Sequence, residues 1–167
     1  MNGTLLGLLE EIKTELEEYG NAMEGPAPTG RLAELREATE QRLAYQLPAV
    51  YTDVLGAHDG VSCNGIQLYA SQSKVQHTPE GNPRYLFDGL VEANELWREY
   101  EPNKEFVFFA ESGERLYCHN LSSNRFEVVD RITKELDDET DSFATAEELF
   151  KRLFNHMLDR YGVEDEA

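Results

Sequence analysis

Three short apolar stretches, residues 105–110, 115–119 and 126–130, follow one another with only brief polar connections between them. The connections hold Ser112-Gly113 and Ser122-Ser123-Asn124, residues suited to tight turns. Strands joined this closely lie side by side and antiparallel, so this part of the chain is expected to be a meander. A meander needs its apolar face covered, and the flanking sequence supplies helices to cover it.

Residues 4–19 repeat Leu5, Leu8, Leu9, Ile12 and Leu16 at helical spacing, with Thr4 as a candidate N-cap and Gly20 as a stop. A Gly- and Pro-rich loop leads to a second helix over 30–44, with Leu32, Leu35, Thr39 and Leu43 along one side. Leu47-Pro48 then opens a short third helix whose apolar face is Tyr51, Val54 and Leu55, and Asp59-Gly60 ends it. Residues 65–70 alternate and read as a strand, and 71–84, polar and carrying Pro79, Gly81 and Pro83, read as a loop. Helical spacing returns over 85–100 through Leu86, Leu90, Ala93, Leu96 and Trp97. It returns again over 145–161 through Leu149, Phe150, Leu153, Phe154, Met157 and Leu158. The fold class is therefore α+β: a central antiparallel sheet packed with helices in a single domain of 167 residues. Within it, 1–46 are N-terminal helices, 47–160 the core, and 161–167 a flexible acidic tail.

The hydrophobic fraction of 40% suits a packed core, and the formal net charge is -18. Such a charge repels phosphate backbones and anionic lipid, which argues against nucleic-acid or membrane binding and favours encounter with a basic protein. No apolar run approaches the roughly 20 residues of a membrane span. The start of the chain has no basic residue ahead of its apolar stretch and is interrupted by Glu10, Glu11 and Lys13, unlike a secretory signal. A cytoplasmic protein is expected, with Cys63 and Cys118 buried as free thiols.

Catalytic and metal chemistry find little support in the residue pattern. Cys118 and His119 are adjacent on a strand and point to opposite faces, and His58, His77 and His156 fall on separate elements without zinc-type spacing. The run Asp137, Asp138, Glu139, Asp141 lacks the glycine and final glutamate of a helix-loop-helix calcium loop. Gly20, Gly25 and Gly30 have no preceding strand and no following Lys-Ser or Lys-Thr, so they form no phosphate cradle. The expectation is a non-enzyme with no cofactor and no metal.

The stretch from Gln46 through Leu47-Pro48 to Leu55, followed by His58-Asp59-Gly60, resembles the opening signature of the SUKH superfamily, the Smi/Knr-type proteins. Cys63-Asn64-Gly65-Ile66-Gln67-Leu68-Tyr69 looks like its YrhA-like branch. Residues 105–110 with Ser112-Gly113 and Leu116-Tyr117 resemble the superfamily's central hairpin, and Ser142-Phe143 the entry to its last helix. The second hairpin strand departs from the pattern, carrying Cys118-His119-Asn120 where an Asp is usual. The resemblance implies an immunity protein that neutralises a secreted toxin by direct binding. A nuclease toxin, being basic, would suit a chain of this charge. A regulatory or scaffold domain without a toxin is the alternative, and a metal-dependent hydrolase using the acidic loop ranks behind both.

Charge is unevenly spread, with eleven acidic and four basic residues from Lys134 onward. The expected partner-binding residues are Asp137, Asp138, Glu139 and Asp141, taken as solvated carboxylates whose neutralisation leaves folding unchanged. Trp97 and Tyr100 are a second, aromatic candidate, Trp97 also falling on the apolar helix face. Oligomeric state is open.

Overall fold

The computed structural model describes residues 1–77, 79–81 and 83–162, with the backbone alone at 76, 77 and 83–85. The described part of the chain forms five α-helices and two antiparallel sheets. Helices α1 (Gly3–Glu18), α2 (Arg31–Leu43) and α3 (Ala49–Ala57) come first. Strands β1 (Val61–Cys63), β2 (Ile66–Leu68), β3 (Lys74–His77) and β4 (Pro83–Phe87) follow, and then α4 (Leu90–Trp97). The chain ends with β5 (Phe106–Glu111), β6 (Arg115–Asn120), β7 (Arg125–Asp130), β8 (Ser142–Phe143) and α5 (Ala146–Met157). The main sheet has the order β1-β2-β5-β6-β7-β8, antiparallel throughout, and β5–β6–β7 is the expected meander. No helix among the described residues is long and apolar enough to cross a membrane.

β5 explains why helices lie on both faces of this sheet. Its first five residues are all buried, a continuous apolar run rather than an alternating one. Phe108 meets the Trp97 ring of α4 at 5.5 Å, while Phe109 meets Tyr51 of α3 at 5.5 Å and Phe150 of α5 at 5.7 Å. Both phenylalanines are fully buried, as are Tyr51, Tyr69, Tyr117, Phe150 and Phe154. Asn94, also fully buried, fixes α4 to β5: Nδ2 donates to Leu90 O and Phe108 O, and Oδ1 accepts from Phe108 N, each at 2.8 Å. This amide takes up the Phe108 backbone N–H and C=O beyond the end of β2, whose register with β5 stops at Ala110.

Residues of the first two resembling stretches, 46–60 and 63–69, have structural work. Pro48 is the N-cap of α3. Asp59, 3% exposed, accepts from Ser71 N at 2.7 Å and Ser71 Oγ at 2.8 Å, with Lys74 Nζ at 3.8 Å. Asn64 and Gly65 have φ of 51° and 79°, the left-handed pair that closes the two-residue β1–β2 turn. Cys63 and Cys118 are buried and free.

The structure corrects the sequence reading in several places. Asn2, not Thr4, caps α1, its side chain accepting from Leu5 N at 2.9 Å. Residues 71–84 are not simply a loop, because β3 and β4 pair there as a separate hairpin. The helix expected over 85–100 is shorter: residues 85–87 belong to β4, and Leu86 and Leu96 are exposed rather than inward. β1 adds an outer strand that the sequence did not suggest. The acidic tail expected over 161–167 lies, from Val163 on, outside the described residues. Tyr161 itself is exposed but stacks one ring face on His156 at 4.3 Å.

Candidate protein-binding surfaces

The loop between β7 and β8 is tied to the sheet along its length. Asp130 N donates to Glu135 O, Asp137 N to Val128 O and Val128 N to Asp141 O, at 2.8, 3.1 and 3.0 Å. These bonds turn the carboxylates in different directions. Asp141 is 3% exposed and forms an ion pair with Arg152 of α5. Burial pushes its carboxyl up to about 6, although the Arg152 charge opposes the rise. Asp137 pairs with Arg115 Nε at 2.7 Å. Asp138 accepts from Thr140 N at 2.9 Å and Thr140 Oγ1 at 2.7 Å, and the backbone bond first of all holds its carboxyl below the usual range. Glu139 is exposed.

The expectation that all four point into solvent fails at Asp141, which is buried against Arg152, while Asp137 is exposed but engaged by Arg115. Their arginine partners come from β6 and α5, and at Asp141 the cost of leaving water is only partly offset by Arg152, which is why its carboxyl is raised. Neutralising Asp141 acts on the fold as well as on the surface.

A pocket of about 380 Å³ lies behind this loop, bordered by Arg115, Asp137, Asp141, Arg152, His156 and Tyr161. His156, 4% exposed, shares a 2.8 Å hydrogen bond between its Nδ1 and Tyr117 Oη. Burial first, and then the charges of Arg115 and Arg152, push the imidazole down to about 4. Arg115 lies over the Tyr161 ring at 5.2 Å. Cations and anions here meet each other, so the pocket presents little net charge. Among the described residues no group of three or more His, Cys, Asp or Glu is arranged to hold a metal ion.

The second candidate surface is the C-terminal end of α4, where Trp97 and Tyr100 part company. Trp97 faces inward: Nε1 donates to Tyr69 Oη at 3.1 Å, and its ring packs on Phe108. Two cations from the β7–β8 loop cover the indole, Arg131 at 5.0 Å and Lys134 at 5.3 Å from the ring centre. Tyr100, 66% exposed, stands in solvent. Beside Trp97 opens a pocket of about 350 Å³, bordered by Tyr69, Asp88, Glu92, Leu96, Glu99 and Glu111 among others. Glu111 is engaged by Arg131. Asp88, Glu92 and Glu99 have no cationic partner among the described residues.

Sequence reasoning named Trp97 and Tyr100 but missed the carboxylates beside them. The signal was present: Asp88, Glu92, Leu96 and Glu99 recur at steps of four, four and three, one stripe of a helix and its flanks. Compared with known proteins, the chain matches no family model and no curated protein sequence.

Proposed function

We propose that this chain is a non-catalytic, cytoplasmic protein-binding module whose partner is a basic protein. Following the SUKH resemblance, the setting is immunity, in which the partner is a toxin domain and binding neutralises it. One observation carries the reading: a net charge of -18 that internal pairing leaves largely intact. Basic side chains are already engaged, as in Arg42–Glu95, Arg131–Glu111, Arg152–Asp141 and Arg160–Glu11. Carboxylates such as Asp88, Glu92, Glu99 and Glu139 have no cation beside them among the described residues. Unpaired carboxylates repel one another, and a cationic protein relieves that repulsion and is drawn in by the same field.

The test is affinity capture from native lysate, followed by stopped-flow association with the purified partner. The expected partner has a basic binding domain, and its association rate falls steeply as salt rises from 20 to 300 mM (about one Debye length of 20 Å shrinking to about 6 Å). Co-expression then suppresses the partner's toxicity. A captured partner that is acidic or neutral, or whose association is indifferent to salt, overturns the reading. A basic partner without toxicity removes the immunity setting and leaves a regulatory or scaffold role.

A further inference from the structure

Resting on the reading that the partner is a basic protein, we propose that it docks on an apolar face formed by Leu96, Tyr100 and Ile132, through a stripe of its own apolar side chains flanked by lysine or arginine. The three are 68%, 66% and 88% exposed, and of the other large apolar side chains described only Tyr19 is comparably open. Single exposed apolar residues are ordinary on a protein surface, whereas several gathered at one place mark an interaction site. Here they gather around Trp97. Leu96 precedes it in α4, and Glu99 N donates to Leu96 O at 3.2 Å and Tyr100 N to Trp97 O at 3.3 Å. These bonds carry the helical path past Trp97, so Leu96 and Tyr100 stand one turn apart on the same side. Ile132 sits between Arg131 and Lys134, whose cationic groups both reach the Trp97 ring, at 5.0 and 5.3 Å.

The backbone holds these side chains outward. Asp130 Oδ1 accepts from Ile132 N and Thr133 N, each at 2.8 Å, and Lys134 N closes the turn on Asp130 O at 2.9 Å. Asn103, itself buried, donates from Nδ2 to Trp97 O and from its backbone N to Tyr100 O, each at 2.9 Å, which fixes the chain as it leaves α4. The apolar groups are in place before a partner arrives, so docking loses little conformational freedom. Charge selects the occupant. Asp88, Glu92 and Glu99 lie beside Leu96 and Trp97 with no cation at ion-pair distance among the described residues. Arg131 is met by Glu111, and Lys134, turned onto the indole, only partly offsets the three carboxylates. A face that is apolar at its centre and negative at its border repels a second copy of a chain of net charge -18 and suits a basic protein.

The probes are two fluorescein-labelled peptides of about 18 residues that carry the same lysines. One places leucines along a single helical face, and the other has serine in their place. Anisotropy titration at low salt gives the affinity advantage of the leucine peptide for the wild type and for two variants of unchanged charge, L96S/I132S and L6S/Y19S. Every replaced side chain is exposed, and an unchanged urea midpoint confirms folding. The expected advantage is about tenfold for the wild type and L6S/Y19S, and less than about threefold for L96S/I132S. An advantage absent from the wild type, retained in L96S/I132S or lost equally in L6S/Y19S overturns the apolar face, and salt-sensitive binding of the serine peptide then leaves the basic-partner reading in place. Failure of both peptides to bind the wild type overturns both. A wild-type dimer in sedimentation velocity that L96S/I132S dissolves assigns the face to a second copy and overturns the proposal.

Discussion

His156 and Asp141 border one pocket and are shifted in opposite directions, and this makes a pH experiment decisive. His156 titrates at about 4 in the folded protein against 6.5 ordinarily. Between those values the unfolded chain takes up a proton that the folded chain refuses. Its stabilising contribution is therefore complete above pH 6.5 and lost as pH falls to about 4. Asp141 titrates at about 6 against 3.8 ordinarily, so the folded chain keeps a proton that the unfolded chain releases. That contribution is complete below pH 3.8 and lost as pH rises through about 6. Each shift exceeds two pH units, or about 3 kcal/mol, and in the wild type the two nearly cancel across the acid range. His156→Asn removes the first and keeps the second, with the amide oxygen in place of Nδ1 as an acceptor for Tyr117. Unfolding by urea, followed by circular dichroism at pH 4.5, 5.5 and 7, gives the stability difference between variant and wild type. That difference should move by roughly 2.5 kcal/mol in the variant's favour between pH 7 and 4.5. The other carboxylates titrate equally in both proteins and drop out. A difference that stays flat within about 0.5 kcal/mol would refute the claim that burial keeps His156 neutral.

Two further substitutions probe the frame that holds the α4 surface. Asn94→Ala leaves Phe108 N and O without side-chain partners inside the core and should destabilise by about 3 kcal/mol, read from the urea midpoint at constant m-value. Asp59→Asn gives up one of two acceptor oxygens facing the two Ser71 donors and should destabilise by about 2 kcal/mol, lowering the melting temperature in calorimetry.

The helices and the meander were legible because their burial is one-sided or continuous, and both leave a repeat in the sequence. The β3–β4 hairpin was not, since Val75 and Leu86 are exposed on it and no alternation of apolar and polar residues marks it. Leu86 instead fell in step with Leu90 and Trp97, and that coincidence lengthened the expected helix. At the candidate sites, composition identified the acidic loop but not its internal pairing. Asp141 meets an arginine eleven residues later and Asp137 one twenty-two residues earlier, contacts that only the packing of α5 and β6 against the loop creates. The pocket beside Trp97 needed Tyr69 brought from beyond β2 to the end of α4, a juxtaposition with no local trace.

The main sheet begins and ends in very short strands, three residues in β1 and two in β8. An extended peptide seeking to lengthen the sheet would find only a few main-chain groups at either border, and Arg125 already donates to Ser142 O at one of them. Recognition by adding a strand, the mode that reads backbone more than side chain, is therefore poorly served. The same stunted borders give neighbouring copies little of the main sheet to zip onto.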